Sequence, residues 1–339
     1  MSTSRNPIRI GIAGYGNLGR GVEASVLQNP DMELVGVFTR RDPASLNPAH
    51  PNTSAFTWDS LAERTGDIDV LILCGGSASD LPEQGPEMAR LFNTVDSFDT
   101  HARIPEYFDA VNAAATETGH TSLISTGWDP GLFSINRLYG EAILPQGKTY
   151  TFWGRGVSQG HSDAIRRVPG VAAGVQYTLP AEPAIEAVRA GEQPELSTRE
   201  KHTRECFVVL EEGADPAVVA EAIVTMPNYF ADYDTTVHFI SADELARDHA
   251  AMPHGGFVLR SGDTGLGATT DGHPTHRQVI EYGLTLADNP SFTASALVAY
   301  ARAVARLAAA GDHGAKTVYD VAPGLLSPRS AAELRADLI

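Results

Sequence analysis

Three glycines near the start of the chain have the spacing of a dinucleotide-binding turn. They lie in GYGNLG, which follows the apolar run IRIGIA and precedes a segment with helical periodicity. In such a turn the first glycine permits the tight bend, the second lets a pyrophosphate approach the backbone, and the third lets helix and strand pack closely. This context favours phosphate binding over the alternative of a purely structural turn. The residues predicted to contact the cofactor here are Gly14, Tyr15, Gly16, Asn17, Leu18 and Gly19.

Two arginines end the next apolar segment, at a point where dinucleotide-binding chains usually have a carboxylate. The segment MELVGVFTRR closes with Thr39, Arg40 and Arg41. A carboxylate would accept bonds from both ribose hydroxyls, whereas guanidinium groups offer forked donors to a dianion. A solvated basic pair is the alternative, but the pair is notable on a chain of formal net charge −17. We therefore predict that these residues bind the 2′-phosphate of NADP.

Polar residues follow the later apolar run DVLILC. In the adjoining CGGSASD, we predict that Ser77, Ala78, Ser79 and Asp80 line the cofactor, with a plain loop as the alternative. Ligands of doubly wound sheets bind at the carboxyl ends of the strands, which is where this segment would lie.

Two aspartates follow the next two short apolar runs, Asp99 in VDSFDTH and Asp129 in STGWDPG. A carboxylate pair suits a cationic amine, which must be held and deprotonated before hydride can leave the adjoining carbon. Helix capping is the alternative for each, and Asp129 with Pro130 resembles a helix start. We predict that both carboxylates act at the reacting centre, with either of them, or a water between them, as the general base.

Strands alternate with helices up to about residue 127, which predicts an α/β fold with a Rossmann-type doubly wound parallel sheet. After that point, runs such as KTYTFWG, VQYTLP and GGFVLRSG predict a second, α+β domain with a mostly antiparallel sheet. An Ala/Leu-rich helix is predicted over 289–311. We therefore expect a dinucleotide-binding domain over 1–127, completed by 312–339, and a substrate-binding and dimerisation domain over 128–311.

Composition excludes several classes of protein. Lys and Arg number 25 against 42 Asp and Glu, so nucleic acid and anionic membranes would be repelled. The sequence contains no apolar run of membrane-spanning length and does not start like a signal peptide, so we expect a cytoplasmic protein. Its two cysteines, Cys74 and Cys206, form no CxxC pair, which indicates neither a disulfide framework nor a thiolate zinc site.

Six longer motifs occur along the chain: GYGNLGR, FTRR, STGWDPGLFSINR, FWGRGVSQGHSDAIRRVPG, QYTLP and MPHGG. In this order they resemble the motifs of the meso-diaminopimelate dehydrogenase family, from about residue 8 to the C-terminal VAPGLLSP. The resemblance implies the two-domain layout given above, a homodimer, and NADP as cofactor. It also implies oxidative deamination of the D-centre of meso-2,6-diaminopimelate to L-2-amino-6-oxopimelate, which cyclises to tetrahydrodipicolinate, with release of ammonia. The reverse direction would feed lysine and cell-wall synthesis.

The resemblance also implies roles for individual residues. Asp99 and Asp129 would hold the amine of the reacting centre, and Arg204 would give forked bonds to the distal carboxylate. The remaining residues implied to bind substrate are Trp153, Gln159, Gly160, Thr178 and His254, and those implied to lie beside the cofactor are Trp128, Pro130 and Gly131. A substrate with two carboxylates and two ammonium groups needs charged partners at both ends, which agrees with these roles.

One segment departs from the family pattern, and three other interpretations stay open. The family leads us to expect an asparagine within 266–282, where this chain has none; the nearest polar residues are His276, Arg277 and Gln278. An NADP-dependent dehydrogenase of another, or a broader, range of D-amino acids is therefore an alternative. The segment GVSQG matches the GxSxG of serine hydrolases, with Ser158 as nucleophile and Asp163 or Asp263 with His254 as partners. A non-catalytic NADP sensor is the third interpretation. His273 and His276 lack carboxylate or thiolate residues at a spacing that would complete a metal site.

Overall fold

The computed structural model describes residues 6–265 and 276–339. By their internal contacts, the residues form two compact units: Met1–Ile135 with Pro290–Ile339, and Asn136–Asn289. These bounds differ from the predicted domains chiefly because the long helix of the C-terminal region groups with the first unit. The roles assigned to the two domains stay predictions.

The secondary structure follows the predicted alternation and then changes in character, as expected. The strands are β1 (Ile8–Ala13), β2 (Met32–Thr39), β3 (Ala55–Thr57), β4 (Val70–Leu73), β5 (Thr94–Asp96), β6 (Thr121–Leu123), β7 (Gln146–Trp153), β8 (Gly156–Val157), β9 (Val171–Pro180), β10 (His202–Leu210), β11 (Asp234–Phe239), β12 (His254–Asp263), β13 (Arg277–Leu286) and β14 (Gly314–Lys316). The helices are α1 (Asn17–Leu27), α2 (Leu81–Ala89), α3 (Ile104–Thr118), α4 (Leu132–Ile143), α5 (Gln159–Arg166), α6 (Glu182–Arg189), α7 (Thr198–Lys201), α8 (Pro216–Val224), α9 (Ala242–Asp248), α10 (Asn289–Ala309) and α11 (Ala331–Leu338).

The first unit is built on a parallel sheet of seven strands, ordered β14-β6-β5-β4-β1-β2-β3. Alternate strand residues enter two apolar clusters, one packed against α1 and α10 and the other against α2 and α3. Helices therefore cover both faces, and the predicted doubly wound fold is confirmed. Because all seven strands run the same way, the segments after β1, β2, β4, β5 and β6 meet at one edge of the sheet.

The second unit contains two sheets. Strands β8, β9 and β10 pair antiparallel, and β11 adds to β10 in the parallel direction. Strands β7, β12 and β13 form a separate antiparallel sheet. The predicted antiparallel character is confirmed, but β13 was not predicted, because its sequence RQVIEYGLTL adjoins a polar, loop-like segment and most of its residues are exposed.

Among the residues that the structure describes, no helix is both long enough and apolar enough to cross a membrane.

Candidate functional site

The glycine turn of the first unit has the geometry that its spacing predicts. Gly14 has a φ of 98°, in the region that glycine favours. A Cβ on Gly19 would lie 2.4 Å from the carbonyl oxygen of Gly14, so only glycine allows α1 to pack this closely on the turn. A Cβ on Gly16 would meet no atom within 4 Å. Gly16, which immediately precedes α1, is therefore open to a ligand at the positive end of that helix.

The arginine pair lies beside this turn. Arg40 donates from Nη2 to Oδ1 of Asp80 at 2.7 Å, and Arg41 donates from Nη2 to the carbonyl oxygen of Tyr15. A cavity of about 250 Å³ lies within this group, and a second cavity of about 510 Å³ is lined in part by the same arginines. The smaller one is lined by Gly14, Tyr15, Gly16, Thr39, Arg40, Arg41, Trp58, Cys74, Gly75, Gly76, Asp80 and Gln84. The residues predicted to bind the pyrophosphate and 2′-phosphate are thus brought together.

Tyr15 lines this cavity and is a buried residue. The hydroxyl of Tyr15 donates to the carboxylate of Glu23, which also accepts from the amides of Ala49 and His50 and from the hydroxyl of Thr53. Burial by itself would raise the pKa of Glu23, but these bonds hold it below its usual value. Glu23 therefore joins the glycine turn to the loop after the arginine pair, a role that no motif indicated.

The two predicted catalytic aspartates lie on loops at the carboxyl edge of the parallel sheet. Asp99 follows β5 and is exposed. Its carboxylate accepts a hydrogen bond from the hydroxyl of Ser77, and its backbone amide donates to the hydroxyl oxygen of Ser77 at 2.9 Å. Asp129 lies between β6 and α4 and is half-buried. The Asp129-Pro130 peptide bond is cis, and α4 begins only at Leu132. A helix start at Asp129 was the alternative that the sequence offered. Because α4 begins three residues later, Asp129 instead belongs to the turn that precedes the helix.

A third aspartate, Asp96, was not singled out by the sequence analysis. It is the last residue of β5 and is 1% exposed. Its side chain accepts from the amides of Phe98 and Ser125, which belong to the loops that carry Asp99 and Asp129. Burial raises the pKa of Asp96, although these amide bonds oppose the shift.

In the second unit, Arg204 is a buried cation. It is 6% exposed and lies on β10 opposite Thr178 of β9, to whose hydroxyl it donates. Its guanidinium stacks 3.9 Å from the ring centre of Tyr233, and its Nε atom has no hydrogen-bond acceptor. Within the described residues 6–265 and 276–339 no carboxylate forms an ion pair with it. A buried guanidinium without a counter-ion is costly, so this geometry fits an anionic ligand.

Two histidines near Arg204 are held neutral. Burial, followed by repulsion from Arg204, lowers the pKa of both His161 and His202 to about 4. Nε2 of His202 accepts the amide of Trp153 at 2.9 Å, which requires an unprotonated nitrogen. The ring of Trp153 lies 5.1 Å from that of His202 and is 38% exposed, so it can contact a ligand.

The other predicted substrate residues of this unit lie at the start of β12 and at the start of α5. His254 is the first residue of β12, and its ring lies so close to Gly156 that a Cβ there would meet it at 2.6 Å. Gln159 and Gly160 open α5, where the first backbone N–H groups of a helix lack intrahelical acceptors. This position suits the binding of a substrate carboxylate by the backbone, in line with the substrate role that the family resemblance implies for these two residues.

Ser158, the nucleophile of the hydrolase alternative, caps α5. Its hydroxyl accepts the amide of His161 and lies 2.8 Å from Nδ1 of the same residue. Asp163, one of its suggested partners, instead forms an ion pair with Arg166. The match to GxSxG is therefore explained by a helix cap, and the histidine beside Ser158 is not the one suggested from the sequence.

The segment that departs from the family pattern is described only in part. Residues 266–275, including His273, lie outside the described residues. His276 is exposed, and Arg277 begins β13, where it donates to the carbonyl oxygen of Gly191. Gln278 pairs in register with Gly262. Over the described ranges, no group of three or more His, Cys, Asp or Glu side chains is arranged to hold a metal ion.

The chain is similar to known proteins over nearly its whole length. Residues 127–288 match the family model of the diaminopimelic acid dehydrogenase C-terminal domain. The chain is 64% identical to a meso-diaminopimelate D-dehydrogenase of Ureibacillus thermosphaericus over 332 residues, which cover 98% of this chain and 99% of that protein.

Two solved structures are similar in fold and sequence. One, from Corynebacterium glutamicum, is a DAP dehydrogenase in complex with DAP; it is 46% identical, covers 99% of this chain and 100% of that one, and gives a TM-score of 0.88. The other is an engineered D-amino acid dehydrogenase bound to NADP⁺, 45% identical over 98% of this chain and 100% of that one, with a TM-score of 0.83. The resemblance noted in the motifs is thus confirmed over nearly the whole length: the chain belongs to the meso-diaminopimelate D-dehydrogenase family.

Proposed function

We propose that this protein catalyses the NADP-dependent, reversible oxidative deamination of the D-centre of meso-2,6-diaminopimelate, yielding L-2-amino-6-oxopimelate and ammonia. Arg204 is the observation that carries the choice of substrate. It is buried, stacked on Tyr233 and without a carboxylate partner among the described residues, as expected for a group that binds a carboxylate far from the reacting amine. The relative solved with DAP bound supports the same substrate.

The chain's own residues fit NADP as the cofactor. Gly16 leaves the backbone open at the start of α1, and Arg40 and Arg41 place two guanidinium groups at the edge of the adjoining cavity. The pyrophosphate would lie at the glycine turn, and the 2′-phosphate would replace Asp80 as the partner of Arg40. When bound, NADP supplies the hydride acceptor. The relative bound to NADP⁺ supports this assignment.

The remaining chemistry belongs to the protein and to water. Asp99 and Asp129 would hold the ammonium group of the D-centre, and one of them, or a water that they hold, would take its proton. Once the carbon has also lost its hydride to the acceptor that bound NADP would supply, it is left as an imine, to which water adds before ammonia leaves. Ser77 would orient Asp99, since its hydroxyl both donates to that carboxylate and accepts from its backbone amide.

The biological setting follows from the family. A cytoplasmic homodimer is expected, and the reductive direction would supply lysine biosynthesis. Neither nucleic acid nor a membrane is an expected partner for a chain of net charge −17.

The test is the formation of NADPH by purified protein supplied with meso-, LL- or DD-diaminopimelate, or with simple D-amino acids, each with NADP and with NAD. Turnover confined to the meso isomer and NADP is the expected result. Turnover with D-amino acids in general would favour the broader dehydrogenase, and binding of NADPH without any turnover would favour a sensor.

An Arg204→Leu variant tests directly whether Arg204 binds the carboxylate far from the reacting amine. It should lower kcat/KM for the meso isomer by about 100-fold, equivalent to roughly 3 kcal/mol for two charge-assisted bonds. Arg199→Leu is the matched control, since Arg199 is an exposed arginine of α7 in the same unit. If both variants behave alike, Arg204 does not bind the substrate.

A further inference from the structure

Asp96 is a buried residue whose carboxylate accepts three hydrogen bonds. Oδ1 accepts the amides of Phe98 at 2.9 Å and Ser125 at 3.0 Å, and Oδ2 accepts the hydroxyl of Tyr107 at 2.7 Å. Its backbone oxygen accepts the amide of Thr126 at 2.9 Å. The residue is 1% exposed, so each of these bonds lies away from water, where an unpaired polar group is most costly.

These bonds reach both loops that carry the proposed catalytic carboxylates. Phe98 directly precedes Asp99, and Ser125 lies in the loop after β6, four residues before Asp129. One carboxylate oxygen thus joins the backbones of two loops that belong to different strands. A change in the position of Asp96 would therefore move Asp99 and Asp129 relative to each other.

The backbone at Ser125 shows that this arrangement is imposed. Ser125 has a φ of 55°, in the left-handed region that a serine seldom adopts. Such a conformation persists where the surroundings hold it, often at a functional site. The bond from the Ser125 amide to Asp96 is one of the contacts that hold it.

Gly85 leaves room for the third hydrogen bond of the Asp96 carboxylate, which the hydroxyl of Tyr107 donates. A Cβ on Gly85 of α2 would lie 2.0 Å from the hydroxyl oxygen of Tyr107, so glycine at this position admits that hydroxyl. The ring of Tyr107 stacks on Phe98 with centres 4.2 Å apart. Tyr107 therefore orients Asp96 and supports the loop to Asp99 at the same time.

We propose that Asp96 is a positioning residue for the deamination: its buried carboxylate fixes the two loops so that Asp99 and Asp129 jointly hold and deprotonate the substrate amine. Asp96 is not expected to touch the substrate, because its oxygens are occupied by protein donors. This inference rests on the proposed function, since it concerns the roles assigned there to Asp99 and Asp129.

The test compares Asp96→Ala with Asp96→Asn and Thr94→Val. Asp96→Ala should lower kcat by about 10- to 100-fold, the effect of a misplacement of about 1 Å, and shift the acidic limb of the kcat/KM profile. NADPH affinity should stay within about twofold, because the glycine turn and the arginine pair lie elsewhere. Asp96→Asn keeps an oxygen that can accept both amides, so it should restore most of the activity. Asp96→Ser replaces the alanine variant if that protein is insoluble.

Thr94→Val is the matched control. Thr94 also lies on β5 and is fully buried, and its hydroxyl donates to the hydroxyl of Ser122, a residue of strand β6, at 2.9 Å. It should lower the melting temperature and leave kcat and the pH profile as in the wild type. A wild-type kcat and pH profile in Asp96→Ala, or an equal loss of kcat in Thr94→Val, would overturn the proposal.

Hydrogen exchange separates this proposal from the proposed function. Amides of residues 97–101 and 125–131 should exchange faster in Asp96→Ala than in the wild type, whether or not a substrate has been identified. If the wild type turns over no amino acid, the proposed function has failed, while faster exchange in Asp96→Ala would still show that the two loops depend on Asp96. If exchange in Asp96→Ala is unchanged, Asp96 does not hold the loops and the positioning role is lost.

Discussion

Arg40 and Arg41 are the residues that should decide between NADP and NAD. Replacing both with Ser should raise the KM for NADP by about 100-fold, since two charge-assisted contacts of roughly 1.5 kcal/mol each, the lower end of the usual range, are lost together. The KM for NAD should change little, because NAD has no 2′-phosphate. Asp80, left without Arg40, would add repulsion against the phosphate. Steady-state kinetics with both cofactors is the measurement.

Arg64→Ser is a suitable control for the arginine pair. Arg64 stacks on Phe56 in the same unit and does not line the cofactor cavity. It should leave the ratio of the two KM values unchanged. An unchanged ratio in the double variant as well would mean that the arginine pair is only a solvated surface feature.

Alanine at Gly16 should weaken cofactor binding, whereas alanine at Gly19 should destabilise the fold. Gly16→Ala adds a Cβ to open space and should leave the folded state intact, but weaken NADPH binding by about tenfold or more, since the pyrophosphate must approach the backbone there. Gly19→Ala places a Cβ 2.4 Å from the carbonyl oxygen of Gly14 and should destabilise the fold by about 1–3 kcal/mol. Fluorescence titration and urea denaturation of both variants would show whether the two glycines are indeed distinguished in this way.

At the scale of secondary-structure elements, the parallel sheet and its polar loops were predictable. The alternation of short apolar runs with helices located β1, β2, β4, β5 and β6, and the residues after those strands gave most of the candidate site. Periodicity reports one element at a time, so it could not show that Asp96 joins two loops or that Arg40 pairs with Asp80. Those contacts depend on how the strands lie side by side.

The missed elements have a similar physical reason. Strand β13 is exposed along most of its length and follows a polar segment, so it lacks the burial signal of a strand. The sequence also did not show that the side chain of Tyr15 is buried against Glu23. Glu23 is a charged residue in an apolar helix face, and a charged residue is ordinarily expected at the surface. Sequence patterns identify which residues are apolar more readily than which charges are paired.

Helix α10 is joined to the rest of the first unit by an ion pair whose arginine is buried. Arg302 is 2% exposed and donates to Asp31, to Asn29 and to the carbonyl oxygen of Leu326. Arg302→Met should lower the free energy of unfolding by about 3 kcal/mol, the lower end for a broken buried pair, since Asp31 is partly exposed. Arg306→Met on the same helix should cost about 1 kcal/mol, because Arg306 is less buried. Equal losses in urea denaturation would contradict a special role for the pair.

Over the whole molecule, negative charge is in excess, and three arginines lie among the proposed binding residues. The net charge of −17 would slow the approach of anions such as NADP, so their binding depends on local groups. Arg40 and Arg41 in the first unit and Arg204 in the second are those groups. In the second unit, Arg204 lies near His161 and His202, two histidines that its charge and their burial keep neutral.

The second unit should lose stability as the pH falls from about 6.5 to about 4. The pKa of His161 and of His202 is about 4 in the folded state, lowered by burial from an ordinary value of 6.5. Between these values the unfolded chain binds protons that the folded chain does not, so acid favours unfolding. The Asp31 carboxyl of the first unit, whose pKa Arg302 lowers from 3.8, loses its stabilising charge only below about pH 4. Burial lowers the pKa of His120 in that unit as well, so the contrast rests on His161 and His202 acting together.

Hydrogen exchange between pH 7 and pH 4.5, corrected for the intrinsic effect of pH, would measure this difference. Amides of β9 and β10 should lose protection before those of β1 and β4, because only the former strands adjoin the neutral histidines. His202→Gln keeps an acceptor for the amide of Trp153 but cannot be protonated, so it should flatten the loss in the second unit. His101→Gln, at an exposed position of the first unit, should leave the profile as in the wild type. Earlier opening of β1 and β4 would show that acid acts first on the parallel sheet and not on the buried histidines.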